Sequence, residues 1–280
     1  MPPKIIVSYD DTANDRDALA LGRLLAGAGG ELALAYVRHF PRSERTDELR
    51  EQRAADALLA RGGLAIGAPE IERHVVVHAS TGDGLWELAE REGTDVVVFG
   101  SEYRTAQGTV RPGTSASRLL AGGPAAVAIA PAGFRSELAY DIERIGVITE
   151  GQDLAPSETA LSLAGATGAS VVDPAPGPLD LLVIGSCEDA APGRVDLSAL
   201  TSYSIDTAGC PVLVGEREDS FAGVLDAGVE VVHPPCSADG HLAFAVEAVV
   251  AQAVVTLGAS VARWGGFGRG AIGVTGRDAL

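Results

Sequence analysis

Residues 4 to 8, KIIVS, form an apolar run that stops at Asp10-Asp11-Thr12, and the same succession of short apolar run, turn residues and helically spaced stretch then recurs along the chain. An apolar run bounded by turn residues reads as a strand buried on both faces. Thr12 or Asn14 can cap the helix that follows, Asp15 and Asp17 fall in its favoured first turn, and Leu19, Leu24 and Leu25 line one side before Gly29-Gly30 ends it. Further strands are expected at residues 31–37, 71–78, 95–99 and 125–130, with helices at 43–61, 83–91 and 114–121. In the helix at 43–61, Leu49, Ala55, Leu58 and Leu59 are expected to face inward. Strands and helices that alternate over short connections close as βαβ units, so the expected fold is a doubly wound α/β layer with a parallel sheet and helices on both faces.

The pattern then repeats. RIGVITEGQ at 144–152 echoes KIIVSYDDT at 4–12, SETALSLAGATGASVVDP echoes the helix and strand of residues 14–37, LDLLVIGS at 179–186 echoes TDVVVFGS at 94–101, and CPVLVG at 210–215 echoes AAVAIAP at 125–131. Only PAPGP separates the later copy's second strand from LDLLVIGS, so that copy has lost the third strand and two helices. A layer this small cannot bury a core alone and is expected to pack against the first copy. Three units follow: residues 1–139, a shortened copy at 140–215, and an extension at 216–280 that carries the Ala/Val-rich stretch 241–262. Glu247 and Gln252 within that stretch argue for a docking helix over a membrane span.

Charge excludes one class of partner. With 21 Lys plus Arg against 38 Asp plus Glu the net charge is −17, Lys4 is the only lysine, and the arginines are dispersed among acids, so nucleic acid is not an expected ligand. Cys187, Cys210 and Cys236 form neither a disulfide framework nor a metal spacing, and the first residues lack the pattern of a secretory signal. A cytoplasmic location is expected.

Chemistry concentrates in residues 94–120, TDVVVFGSEYRTAQGTVRPGTSASRLL, where a strand runs into Gly100-Ser101 and Gly113-Thr114-Ser115 opens a helix. Glycines allow close backbone approach, and the amides and hydroxyls of a helix start favour a phosphate. Neither a Walker loop nor the GxGxxG turn is present. Asp10 after the first strand, GS ending the fourth, and a glycine plus hydroxyl opening the next helix resemble the universal stress protein family, whose adenine-nucleotide-binding-like (alpha hydrolase-like) α/β domains often occur in tandem. Its ATP-binding branch carries G-x2-G-x9-G-[ST]; here the frame is Gly100, Tyr103, nine residues, Gly113-Thr114, with tyrosine in place of the middle glycine. The resemblance covers the first 133 residues and, in shortened form, 144–215.

The resemblance implies a stress-response protein with ATP or another adenine nucleotide as regulatory ligand. Asp10 would meet the ribose or adenine end, Val37 would line the adenine pocket, and Gly100, Gly113, Thr114 and Ser115 would hold phosphates. It also implies pairing through the last strands, 125–130 against 211–214, as an internal pseudo-dimer or a homodimer. In the second copy Glu150 replaces Asp10, Glu188 takes the middle-glycine position and Ser198-Ala199 replaces Gly113-Thr114, which reads as a non-binding partner. The alternative is a nucleotide-free interaction module of the same fold. His74 and His78 share a strand face but lack a third metal ligand nearby, and Cys187 lies between a loop serine and Glu188-Asp189, which blunt its reactivity. No catalytic residues, no metal site and no enzymatic activity are expected, since no serine–histidine pair, paired carboxylates or loop lysine can be proposed.

Overall fold

A computed structural model describes residues 2–39, 45–136, 141–151, 153–174 and 177–217. The first series of elements is β1 (Lys4–Ser8), α1 (Ala13–Gly27), β2 (Glu31–Arg38), α2 (Arg45–Ala65), β3 (Glu72–Val77), α3 (Thr81–Glu92), β4 (Val96–Gly100), α4 (Thr114–Leu120) and β5 (Ala126–Ala130), then a 3-10 turn at Phe134–Ser136. The second series is β6 (Arg144–Ile148), α5 (Ala155–Thr167), β7 (Ser170–Val172), β8 (Leu181–Ile184), α6 (Ala199–Thr207) and β9 (Val212–Val214). Set against the first series, it lacks a third strand and two helices. Local chemistry fixes several ends. Thr12 caps α1 in a reciprocal box with Asp15, Ser80 caps α3 two residues earlier than its acids suggest, and Gly93 closes α3 in the left-handed conformation.

The nine strands of the described residues form one sheet in the order β3-β2-β1-β4-β5-β9-β8-β6-β7. Every pairing is parallel except the central one, where Val127, Ala128 and Ile129 of β5 lie antiparallel to Val214, Leu213 and Val212 of β9. The strands after that seam therefore run opposite to those before it, and their carboxyl ends emerge at the other edge.

Alternation along each strand divides the core into two layers. Ile5, Val7 and Val98 pack with Leu21 and Leu25 of α1, and the same layer continues through Ile145, Leu163 and Val183. On the opposite face Ile6 and Val97 meet Leu85, Leu88 and Leu119, continuous with Ile184, Ile205 and Val212. Each fully buried Leu or Ile stabilises by about 1.5–3 kcal/mol, and the shortened second series shares this burial across the seam. Leu49, expected inward, is 63% exposed, because only the later turns of α2, through Ala55 and Leu59, reach the core. No described helix is long and apolar enough to cross a membrane. The stretch 241–262, read as a helix, lies outside the described residues.

Two loops lock the seam by one repeated device. Ser101 Oγ donates to the Ala130 carbonyl at 2.8 Å and accepts from Arg111 N at 3.2 Å; Ser186 Oγ donates to the Gly215 carbonyl at 2.7 Å and accepts from Asp196 N at 3.2 Å. The sequence offsets are identical in the two copies. Each loop also crosses to the other side: Val195 exchanges backbone bonds with Gly122 and Gly123 at 2.6 and 2.9 Å, and Val110 is buried in one cluster with Ala208.

Candidate functional site

In the order β2-β1-β4, successive connections leave β1 in opposite directions, so the carboxyl ends of β1 and β4 form a topological switch point, the usual ligand position of an open α/β sheet. Asp10 follows β1 and Gly100 ends β4 at that edge. The backbone N–H groups of Asp10 and Thr12 both donate to Asp15 Oδ2, at 3.0 and 2.9 Å. The Asp10 carboxyl is pushed up to about 7, chiefly by its hydrogen bond with Asp15, then by partial burial and the Asp15 charge.

The sign of the pH effect follows. A carboxyl whose folded value is raised contributes stability that is complete below about pH 4 and is lost as the pH rises through about 7. Between those limits the wild-type melting temperature should fall relative to that of Asp10→Asn in thermal scans at stepped pH. Parallel profiles for the two proteins would remove Asp10 as the titrating group.

Asp11, the neighbouring acid, has a different task. It takes a left-handed φ of 67°, accepts from Tyr9 Oη at 2.9 Å and pairs with Arg61 Nη2 at 3.1 Å, and these bonds hold its carboxyl below the usual range. It ties α2 to the end of β1.

Gly100 is required by close approach: a Cβ there would lie 2.6 Å from the carbonyl carbon of Asn14 in α1. Gly113 differs. It is the extended N-cap of α4 with no side-chain cap, and a Cβ on it would meet nothing within 4 Å. Thr114 beside it is exposed and Ser115 half-buried. Val37 is only 6% exposed and packs in the core beneath Gly84 of α3, so most of its surface faces protein. Tyr103 points away from the fold with 76% of its surface exposed, and the left-handed bends of its loop fall at Arg104 and Gly108 instead.

The equivalent positions of the second copy are closed. Ser198 Oγ accepts from the amides of Leu200 and Thr201 at 3.0 and 3.1 Å and donates to Glu150 Oε1, so the start of α6 is occupied by its own side chain. Glu188 lies against Gly151, where a Cβ would be 2.5 Å from its carboxyl carbon.

His74 and His78 do not act together. His78 Nδ1 accepts from Ser80 N at 3.0 Å, while His74 gathers with Glu72 and Glu92, their ligand atoms within 4.8 Å of one another. Glu92 comes from the end of α3, which strand periodicity could not reveal. Lys4 Nζ and Arg91 Nε already hold its two oxygens, each at 3.1 Å, and burial keeps His74 below its usual value, so the group is an ion-pair network around a neutral imidazole. Cys210 is buried and its thiol is pushed up to about 12 by burial and Asp180.

Fold and edge together define a doubly wound α/β protein with a topological switch point at the carboxyl edge of its first five strands. Residues 1–131, a little under half of the chain, match the universal stress protein family. No curated protein matches the chain in sequence. Among solved structures, a universal stress protein from Archaeoglobus fulgidus DSM 4304 overlays with a TM-score of 0.55 at 13% identity, over 76% of this chain and 98% of its own. A putative universal stress protein from Pseudomonas aeruginosa UCBPP-PA14 gives 0.52 at 15% identity, over 80% and 96%. Both overlays run past residue 131, and they show a shared fold. A universal stress protein in complex with cAMP aligns with a TM-score of 0.29 at 23% identity, over 35% of this chain and 75% of that one.

Proposed function

We propose that the chain is a cytoplasmic stress-response protein that binds one adenine nucleotide, ATP among the candidates, at the edge formed by Asp10, Gly100 and Gly113, as a regulatory ligand and not as the substrate of an enzyme. The contrast between its two copies carries the reading. Where the second copy joins a carboxylate to a serine that caps its own helix, the first has a shorter acid and a glycine with open space beside it. The exposed Tyr103 ring leaves that space clear. The second copy then serves as a built-in partner across the β5–β9 seam, and the chain takes one ligand.

Calorimetric titration with ATP, ADP and AMP should give a single site per chain. Heat indistinguishable from dilution at millimolar ligand would reject the proposal. Gly113→Ser tests the same edge with two readouts: the new hydroxyl caps α4 as Ser198 caps α6, raising stability by a few tenths of a kcal/mol, and it competes for the amides a phosphate needs, weakening nucleotide binding. Unchanged affinity in a stabilised Gly113→Ser protein would place the ligand elsewhere.

A second reading, a nucleotide-free interaction module, is favoured by Tyr103 at the position where the ATP-binding frame has glycine. The ultraviolet spectrum of protein purified from cells separates the two, since bound adenine adds absorbance near ~260 nm that a ligand-free module lacks.

A further inference from the structure

The second series of elements leaves bare a helix face that the first series covers. In the first series α3 lies against α4: a Cβ on Gly82 would stand 2.7 Å from Arg118 Cβ and 3.4 Å from Ser115 Cα, Arg118 Nε donates to Asp83 at 2.6 Å, and its guanidinium stacks at 4.1 Å on the Trp86 ring. The second series has no helix between β7 and β8 among the described residues. After the cap of α6, Leu200 and Tyr203 hold the places that Ser115 and Arg118 hold after the cap of α4. They are 57% and 67% exposed, and the residues that α6 buries are Thr201 and Ile205. Ser204 beside them donates its hydroxyl to the Leu200 carbonyl at 2.9 Å, so its polar group is already satisfied. In the same core layer Ile148, Leu179 and Leu197 are only partly buried, whereas Leu85 and Leu88 of α3 close that layer over the first series. Two large apolar side chains thus meet water where their counterparts meet a helix.

We infer that this face of α6 is the docking site of the chain's own extension, and that residues 241–262 occupy it as α3 occupies α4. Val250, Val254, Leu257 and Val261 recur at helical spacing, and Gln252, Thr256, Ser260 and Arg263 recur on the other side, so a helix over these residues carries one apolar stripe that needs a partner surface. Ala253 and Gly258 flank the stripe and leave room for side chains as large as Leu200 and Tyr203, just as α3 makes its closest approach to α4 through a glycine. The chain also leaves the sheet in the right place. β9 runs parallel to β8, so Arg217 emerges at the edge where α6 begins, and it is fixed there by backbone bonds with Arg194 at 2.9 Å and Gly193 at 2.7 Å. Residues 218–240, at about 3.3 Å each when extended, reach well beyond the length of α6. Docking removes Leu200, Tyr203 and the valine stripe from water together, which is the driving force for helix packing on a bare face.

Hydrogen exchange read by mass spectrometry on the full chain tests this. In the wild-type chain, amides of residues 241–262 should exchange about tenfold or more slowly than those of residues 263–280. Leu200→Asp combined with Tyr203→Asp should abolish that difference while β8 and β9 keep their protection, and Leu154→Asp, at a leucine 66% exposed at the start of α5, should leave it unchanged. A photoreactive benzophenone side chain at position 203 gives a second readout that does not depend on the aspartates: its crosslink should fall within residues 241–262 of the same chain. Exchange of 241–262 as fast as 263–280 in the wild-type chain overturns the inference, and so does protection that survives the two aspartates. A crosslink that joins two chains overturns it by giving the face to a second copy, and a crosslink elsewhere in the same chain assigns the stretch to another surface.

Discussion

Gly100→Ala lowers the melting temperature by roughly 6–12 °C. The glycine ends β4 where the strand passes the first turn of α1, and the atoms facing its missing side chain are backbone, the Asn14 carbonyl. Backbone cannot rotate away as a side chain does, so α1 must lift from the sheet. Asn14 Nδ2 donates to the Ser101 carbonyl at 2.6 Å, and that bond is strained by the same movement. Overpacking of this kind costs about 3 kcal/mol, equivalent to the stated shift for a folded unit of about 200 residues. Thermal unfolding followed by circular dichroism measures it, with Gly113→Ala as the control whose Cβ meets nothing within 4 Å. Equal melting temperatures for the two variants would show that α1 yields without cost. In the second copy the conflict at Gly185 is with the Pro156 ring, 2.6 Å from a built Cβ, and the corresponding loss should be smaller because that contact is a side chain.

Asp17→Ala is expected to cost about 2–4 kcal/mol. Its side chain is wholly buried on α1, and its two oxygens accept from Gly133 N at 2.9 Å, Arg135 N at 2.8 Å and Arg135 Nη1 at 3.0 Å. Alanine leaves the turn at Phe134–Ser136 without its anchor, and Phe134, 5% exposed, closes the core layer that α1 and α5 share. The Arg135 head is 40% exposed and regains water, which keeps the loss below that of a fully buried pair. Asp17→Asn keeps an acceptor and should lose less. Urea denaturation gives both values, and a midpoint for Asp17→Ala within error of the wild type would assign the anchoring of this turn to other contacts.

Much of the architecture was legible in residue order because its causes are local. KIIVS and its echo RIGVI announce buried strands by composition, Thr12 with Asp15 announces a helix start, and the missing stretch before LDLLVIGS announces the absent strand and helices. The pairing of β5 with β9 was expected from the family resemblance and is present in antiparallel register. The site was less legible. Glycine spacing marked Gly100 and Gly113 alike, yet one is needed against the Asn14 backbone and the other borders open space. Val37, which the resemblance implies for a pocket wall, sits largely in the core, Asp17 in the first turn of α1 anchors a residue 118 positions away, and His74 meets Glu92 only because of where α3 ends.

By itself the sequence determined the alternation of strands and helices, the acidic charge and the frame that names a candidate edge. All of these are properties of neighbouring residues or of total composition. The tertiary structure decided which edge stays open. Glu150 reaches Ser198 across 48 positions and joins the cap of α6, while Tyr103 turns outward with most of its surface exposed. Whether a side chain fills a cleft depends on distances between segments that packing alone brings together, and no local pattern encodes them.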